Sequence, residues 1–242
     1  MDQLLGRGRT SMAPSIDVET VNKFSADKVT KVRTSTDNVP PPTYTRAPPG
    51  PSLREFSSLS VDDIINGVRQ LPDKSSAADP LPMFVLKQIL DVIAPFVTEL
   101  FRRSLATGCF PSQFKYVSIT PIVKNVGLDP SDASSYQPIS NLAVLSKLVE
   151  RLIAHQLMDY LTTADLLPSL HSGFCLGHST ETAILRVLSD IVQTVDRGDF
   201  AALVVLDLSA AFGKIDHDIL IQRLQSTYSI TVLQWFRSYL HG

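Results

Sequence analysis

The chain has only two cysteines, Cys109 and Cys175. Two thiols cannot build a disulfide framework or a cysteine metal cluster. With no secretory signal in view they read as reduced thiols of an intracellular protein, in nucleus or cytoplasm. Positive charge is not in excess either: 22 Lys and Arg stand against 24 Asp and Glu, a formal net charge of −2. A domain that grips phosphates unaided is usually basic, so this balance counts against nucleic-acid binding by the chain alone. No apolar run approaches the roughly 20 residues of a membrane span. The opening stretch, Met1 to Thr10, lacks the apolar core of a secretory signal. No internal repeat is evident. What is present is an ordinary hydrophobic share, 44% over 242 residues, enough for one large domain or two small ones with a real core.

Prolines cluster at Pro40, Pro41, Pro42, Pro48, Pro49 and Pro51, with Thr43, Tyr44, Thr45, Arg46, Ala47 and Gly50 between them and Ser and Asp only to either side. Such a segment buries little and stays extended. Residues 1–54 are therefore expected to be a Pro-rich disordered linker. One short helix from Val18 to Val32 is anchored by Val21, Phe24 and Val29. The folded part is expected to cover residues 55–242.

From Ser60 the apolar residues fall at helical spacing. Ser60 is placed to cap, and Asp62 and Asp63 sit in the first turn, where the helix dipole favours acids. Ile64, Ile65, Val68 and Leu71 form the stripe, and Pro72 ends it. A polar loop from Lys74 to Pro82 precedes a helix with Phe84, Val85, Leu86, Ile89 and Leu90 inward. Pro95 fits the first turn of another helix reaching about Thr107, with Phe96, Val97, Leu100, Phe101 and Leu105 inward. Gly108 stops it. Lys115 to Lys124 alternates and is β-branched, which predicts a strand, with Pro121 marking an edge or a bulge. A loop from Asn125 to Tyr136 leads through Gln137 to Asn141 into the most regular helix, carrying Val144, Leu148, Val149, Leu152, Ile153 and Leu157. Ser179 can cap a helix in which Ala183, Ile184, Val187, Leu188, Ile191, Val192 and Val195 face a core. A helix begins near Asp216 with Ile219, Leu220 and Leu224 inward. A last amphipathic segment carries Val232, Trp235, Phe236 and Tyr239, a buried helix face rather than a base-stacking platform. The expected class is mixed α/β, of the α+β kind, helix-rich with a small incomplete sheet.

The chemistry points to one place. Ala202 to Leu206 is apolar, rich in Val and Leu, and too short for a helix with one buried face, so it suits a strand buried on both faces. Asp207 follows. An unpaired carboxylate is costly to bury, so Asp207 belongs at the strand's open end, facing water, a cation or a donor. The residues alone favour an Asp that caps the next turn. They leave open an oxygen ligand for Mg²⁺. Asp216, His217 and Asp218 splay apart on a helix and read as an N-cap cluster, not a metal site. His178, Ser179 and Asp207 lack the G-x-S-x-G elbow and the geometry of a hydrolase triad.

Several stretches together resemble one family. They are Ser75-Ser76-Ala77-Ala78-Asp79-Pro80-Leu81-Pro82, Ile119 to Lys124, Tyr136-Gln137-Pro138-Ile139-Ser140, Leu145 to Arg151, Ser172-Gly173-Phe174-Cys175-Leu176-Gly177-His178-Ser179-Thr180 and Leu206-Asp207-Leu208-Ser209-Ala210-Ala211-Phe212. In this order and at this spacing they resemble the reverse transcriptase domain of non-long-terminal-repeat retrotransposons of the chicken-repeat, jockey-like kind. The resemblance covers about residues 55–242. It implies fingers and a partial palm of a right-hand polymerase that extends a DNA primer on an RNA template using dNTPs and two Mg²⁺ ions. By the same resemblance Asp207 is the first metal-binding acid and the Leu208 carbonyl a second ligand. Phe212 is the bulky residue beneath the sugar that rejects a 2′-hydroxyl. Lys124 lies near the incoming triphosphate.

The sequence also departs from the family pattern. Gln137 stands where the family has Arg before Pro-Ile-Ser, and a neutral amide cannot grip phosphate as a guanidinium does. Cys175 replaces another Arg after Gly173-Phe174, and Gly213 replaces an Asp after Phe212. Tyr-x-Asp-Asp, the family's second metal-binding motif, occurs nowhere in the chain. The chain is therefore expected to be a reverse transcriptase fragment, cut before that motif and inactive alone. The alternative is a non-enzymatic helical interaction or nucleic-acid-contact module derived from a retroelement.

Overall fold

Ser60 opens the helical body as expected. Its hydroxyl accepts the Asp63 N–H, and the Asp63 carboxylate accepts the Ser60 N–H, a reciprocal capping box that starts α2 (Val61–Gln70). The computed structural model describes residues 16–36, 39–40, 52–73, 79, 81–125, 127–207, 215–225 and 227–241. Around α2 come α1 (Val18–Thr36), α3 (Met83–Gln88), α4 (Leu90–Thr107), the strands β1 (Val117–Val123) and β2 (Tyr136–Leu142), then α5 (Val144–Thr163), α6 (Thr180–Asp196), α7 (His217–Leu224) and α8 (Ile230–Leu240). The class is helix-rich with one two-stranded antiparallel sheet among the described residues. None of the described helices is long and apolar enough to cross a membrane.

The core is made by α2, α3, α4, α5 and α8. Ile64 and Val68, Leu86, Phe101, Leu148 and Val149 and Trp235 meet there. Trp235 is 2% exposed, and its Nε1–H donates to the Ser104 hydroxyl at 3.1 Å. That hydroxyl donates in turn to the Cys109 carbonyl at 2.7 Å, so the buried polar chain is closed. The Trp235 ring stacks on Tyr239 at 5.6 Å and meets the rings of Phe56 and Phe110 at 5.5 and 5.4 Å. This is the buried aromatic helix face the sequence predicts. Two glycines permit the packing. A Cβ on Gly67 would lie 2.7 Å from Leu148 Cδ1, so α2 and α5 touch through it. Gly108 ends α4 with φ +67°, against Gln234 and Thr231 of α8.

Several expectations are corrected. α4 begins at Leu90, so Pro95 lies inside it rather than in its first turn and leaves the Asp91 carbonyl without its helical donor. Phe84 and Ile89 of the α3 region and Phe96 and Leu100 of α4 are exposed, while Met83, Leu86, Leu90, Val97, Phe101 and Leu105 are buried. The apolar surface is wider than one face, and the packing of α4 on α2 and α8 selects the face. In α7 the buried residue is Ile221 rather than Ile219 or Leu220. The stretch after the 125–135 loop is a strand, β2, that the sequence did not announce. The predicted N-terminal helix exists, and of its three anchors only Val21 is buried.

The largest correction falls on residues 165–207. Ala202–Leu206 forms no strand: it runs irregularly, with Val204 78% and Leu206 87% exposed. Among the described residues no backbone hydrogen bond joins it to another segment. α6 forms as predicted, capped by Ser179. Yet no residue of α6 is buried, and Ile184, Leu188, Val192 and Val195 face outward. A strand is stable only with neighbours that take its N–H and C=O groups. No described residues supply them here.

Candidate functional site

The two candidate phosphate-facing residues share one ribbon. β1 and β2 pair with Ile122 opposite Gln137 and Thr120 opposite Ile139. The Lys124 N–H donates to the Ser135 carbonyl at 2.9 Å, so the ladder continues to that pair. Side chains alternate across a strand, so Lys124, Ile122 and Gln137 lie on the same face, Lys124 and Gln137 as diagonal neighbours about 7–8 Å apart. The Asn141 amide donates to Thr120 Oγ1 at 3.0 Å on that face. The same alternation makes the facing prolines, Pro121 and Pro138, a non-hydrogen-bonded pair. Their missing N–H groups point to the outer edges, which blunts both edges without breaking the ladder. Pro121 therefore marks an edge, one of the two options its sequence position allowed.

Lys124 does not stand in open solvent with a bare ammonium. Its Nζ donates to the Ser134 carbonyl at 2.8 Å. Asp132 of the connecting loop lies near it, and Asp129 of the same loop lies near Asp132. The Ser134 hydroxyl and N–H hold the Asp132 carboxyl below its ordinary range, with the Lys124 charge adding a smaller pull. The Ser131 N–H and hydroxyl do the same for Asp129. Both are therefore firmly ionised at neutral pH. A phosphate approaching this tip meets one ammonium and two carboxylates. Sequence reading missed the acids, although the Asp-x-Ser spacing of both, an acid hydrogen-bonding the backbone two residues on, could have flagged them.

Gly173, Phe174 and Cys175 form a turn. Phe174 adopts φ +60°, a left-handed conformation uncommon for a bulky side chain, and its ring is 89% exposed. The Cys175 N–H donates to the Ser172 carbonyl at 3.4 Å. Cys109 and Cys175 are both free thiols.

Asp207 ends the exposed stretch and is itself exposed. Leu208, Phe212 and Gly213 lie outside the described residues. Among the described residues no three His, Cys, Asp or Glu side chains cluster closely enough to hold a metal ion. One exposed carboxylate supplies the hard oxygen Mg²⁺ prefers, though not the set that two ions need. Asp216 accepts the Ile219 N–H at 3.0 Å and so caps α7, the role expected for that cluster.

Another motif residue has a role the sequence did not reveal. Asp79 accepts the Val144 N–H at 2.9 Å through Oδ2 and the Leu81 N–H at 3.2 Å through Oδ1. It thereby links the loop before α3 to the start of α5.

Comparison with known proteins supplies the remaining findings. No family model matches the chain. Curated relatives do. A protein of Drosophila melanogaster described as a probable RNA-directed DNA polymerase from transposon BS is 32% identical over 183 residues, 75% of this chain and 20% of that protein. The RNA-directed DNA polymerase from mobile element jockey of the same species is 28% identical over 76% of this chain and 20% of its own length. A probable RNA-directed DNA polymerase from transposon X-element, again of that species, is 28% identical over 78% of this chain and 21% of its own length. The chain thus spans about a fifth of the length of these relatives.

Proposed function

We propose that this chain, a homologue of part of the non-long-terminal-repeat retrotransposon RNA-directed DNA polymerases, forms the fingers and part of the palm of such an enzyme. It takes part in nucleotidyl transfer only together with further palm and thumb. The observation that carries this is the coincidence of six ordered motifs with similarity over three quarters of the chain.

Asp207 and the Leu208 carbonyl are the ligands this chain would offer to Mg²⁺. The ions, when bound, stabilise the attacking and leaving oxygens of phosphoryl transfer. Asp207 is exposed and oxygen-bearing, so it fits the first ligand position, and the other acids must come from outside this stretch. Lys124 and Gln137, on one face of the hairpin, orient the triphosphate of a dNTP. The Gln137 amide can donate one hydrogen bond where a guanidinium would make two charged ones. Phe212, by its place in the motif, would be the bulky residue that rejects a 2′-hydroxyl. The outward apolar faces of α6 and of Leu203 to Leu206 would then pack against the rest of the palm, with RNA template and DNA primer held above.

Primer extension with Mg²⁺ on an RNA template tests this. The purified chain should make no DNA. A chimaera in which it replaces the matching segment of the jockey polymerase should make DNA, and Asp207→Ala should abolish that synthesis. Synthesis by the chimaera that survives Asp207→Ala refutes the role of Asp207. Synthesis by the chain alone refutes the need for further palm. A second reading, a non-enzymatic interaction module of the same origin, is favoured by the acids beside Lys124 and by a helical core that closes on itself. An inactive chimaera supports it.

A further inference from the structure

We propose that Asp79 is a positioning residue that clamps the base of the β1–β2 hairpin to the helical core, and so sets the direction in which the hairpin carries Lys124 and Gln137. A two-stranded hairpin is marginal on its own, and this one has a proline on each edge. Its aim must come from its two legs. The β1 leg is held by the turn before it. The buried Ser146 hydroxyl, in the first turn of α5, donates to the Phe114 carbonyl at 2.6 Å, and the Phe114 ring packs on Phe101 and Phe110. The β2 leg runs from Leu142 through Ala143 straight into α5. Ala143 occupies the N-cap and has no side chain able to cap. Asp79, 65 residues away, does so instead by accepting the Val144 N–H.

The carboxylate is suited to this because it has two acceptor oxygens. One takes Val144. The other takes the Leu81 N–H, which fixes Asp79 to the segment entering α3, where Leu81 packs on the core and Met83 is buried. Farther back, the Lys87 ammonium pairs with Asp73 and donates to the Leu71 carbonyl, tying α3 to the end of α2. Both hairpin legs thus meet the first turn of α5, one through Ser146 and one through Asp79. Only the significance of Lys124 and Gln137 rests on the proposed function, because the clamp itself is read without nucleotide.

The test places spin labels at Ser118→Cys on β1 and Val92→Cys on α4, in a Cys109→Ser/Cys175→Ser background, and measures their distance distribution by pulsed dipolar spectroscopy. Asp79→Asn is nearly isosteric and leaves one acceptor oxygen for two amides. It should broaden the distribution while circular dichroism stays helical, and should speed Val144 amide exchange roughly fivefold, the equivalent of losing one cap. Adding Ala143→Asp supplies a local cap. It caps the Leu145 or Ser146 N–H, so it should restore any Tm lost in Asp79→Asn and leave both the Val144 exchange fast and the distribution broad, which a purely helix-stabilising role would not do. An unchanged distribution in Asp79→Asn, or one narrowed again by Ala143→Asp, overturns the proposal. Loss of polymerisation by the chimaera with the clamp intact would count against the proposed function alone.

Discussion

The helical core and the excursion from residue 165 to residue 207 are built from similar materials and come to opposite ends. α5 and α6 are both long, both begin at well-defined junctions, and both carry Leu, Ile and Val at helical spacing. α5 buries Leu148, Val149 and Ile153, and α6 buries nothing. The difference lies in neighbours rather than in either helix. α5 finds α2 across Gly67, where the missing side chain brings the axes close. α6 follows the Phe174 turn and precedes the exposed stretch ending at Asp207, and none of its residues is buried. An apolar stripe therefore states a demand for burial, and only the fold shows whether that demand is met.

The comparison breaks most readily at matched leucines. Leu148→Ala should destabilise by about 2–5 kcal/mol, as core truncations do. Leu188→Ala should stay within about 0.5 kcal/mol in urea unfolding, because it lies on an exposed helix face with half of its surface already in water. Equal losses would mean that α6 is packed in solution. Gly67→Ala sharpens the contrast at the α2–α5 contact. Its Cβ would press on Leu148 Cδ1, and a loss of about 1–3 kcal/mol is expected from crowding, whereas Gly177→Ala meets open space and should lose only the roughly 1 kcal/mol that its left-handed φ of +77° costs.

A smaller effect is expected at the α2 cap. Ser60→Ala should cost about 1 kcal/mol. The Ser60 N–H, and then its hydroxyl, lower the Asp63 carboxyl from its ordinary value in the folded state. Its contribution is therefore complete above the unfolded-state value and fades as pH falls through the lowered one. Asp63 is largely exposed, so the slope is shallow. Ser60→Ala keeps the N–H donor and should flatten the slope only in part, while Asp63→Asn should remove this contribution from unfolding curves taken at descending pH; an unchanged slope in Asp63→Asn would mean the box does not form. The smallest change belongs to the excursion. Phe174→Gly removes an exposed ring from a left-handed position and should stabilise by at most about 1 kcal/mol, read as a rise in Tm. A fall in Tm would show that the ring has a partner.

Much of the core was legible because its signals are local. Ser60 with Asp63, the stop at Gly108, the N-cap at Ser179 and that at Asp216 each depend on residues within a turn of one another. β2 was not legible, because Gln137, Pro138, Ser140 and Asn141 interrupt any alternation and only pairing with β1 makes the segment a strand. The candidate site divides in the same way. The kinship and the identity of Asp207, Lys124 and Gln137 as candidates follow from motif order. The acids beside Lys124 and the role of Asp79 do not, since the latter acts on a helix 65 residues distant.

Taken alone, the residues decide where helices start and stop, which segments are apolar, and which polymerase lineage the motifs match, because those properties are set by neighbours along the chain. Tertiary structure alone decides which apolar faces are covered. It places Lys124 and Gln137 on one face of a ribbon, and it leaves Leu203 to Leu206 in solvent ahead of Asp207. Burial and strand pairing are contacts between distant segments, and a sequence can request such a partner without containing it.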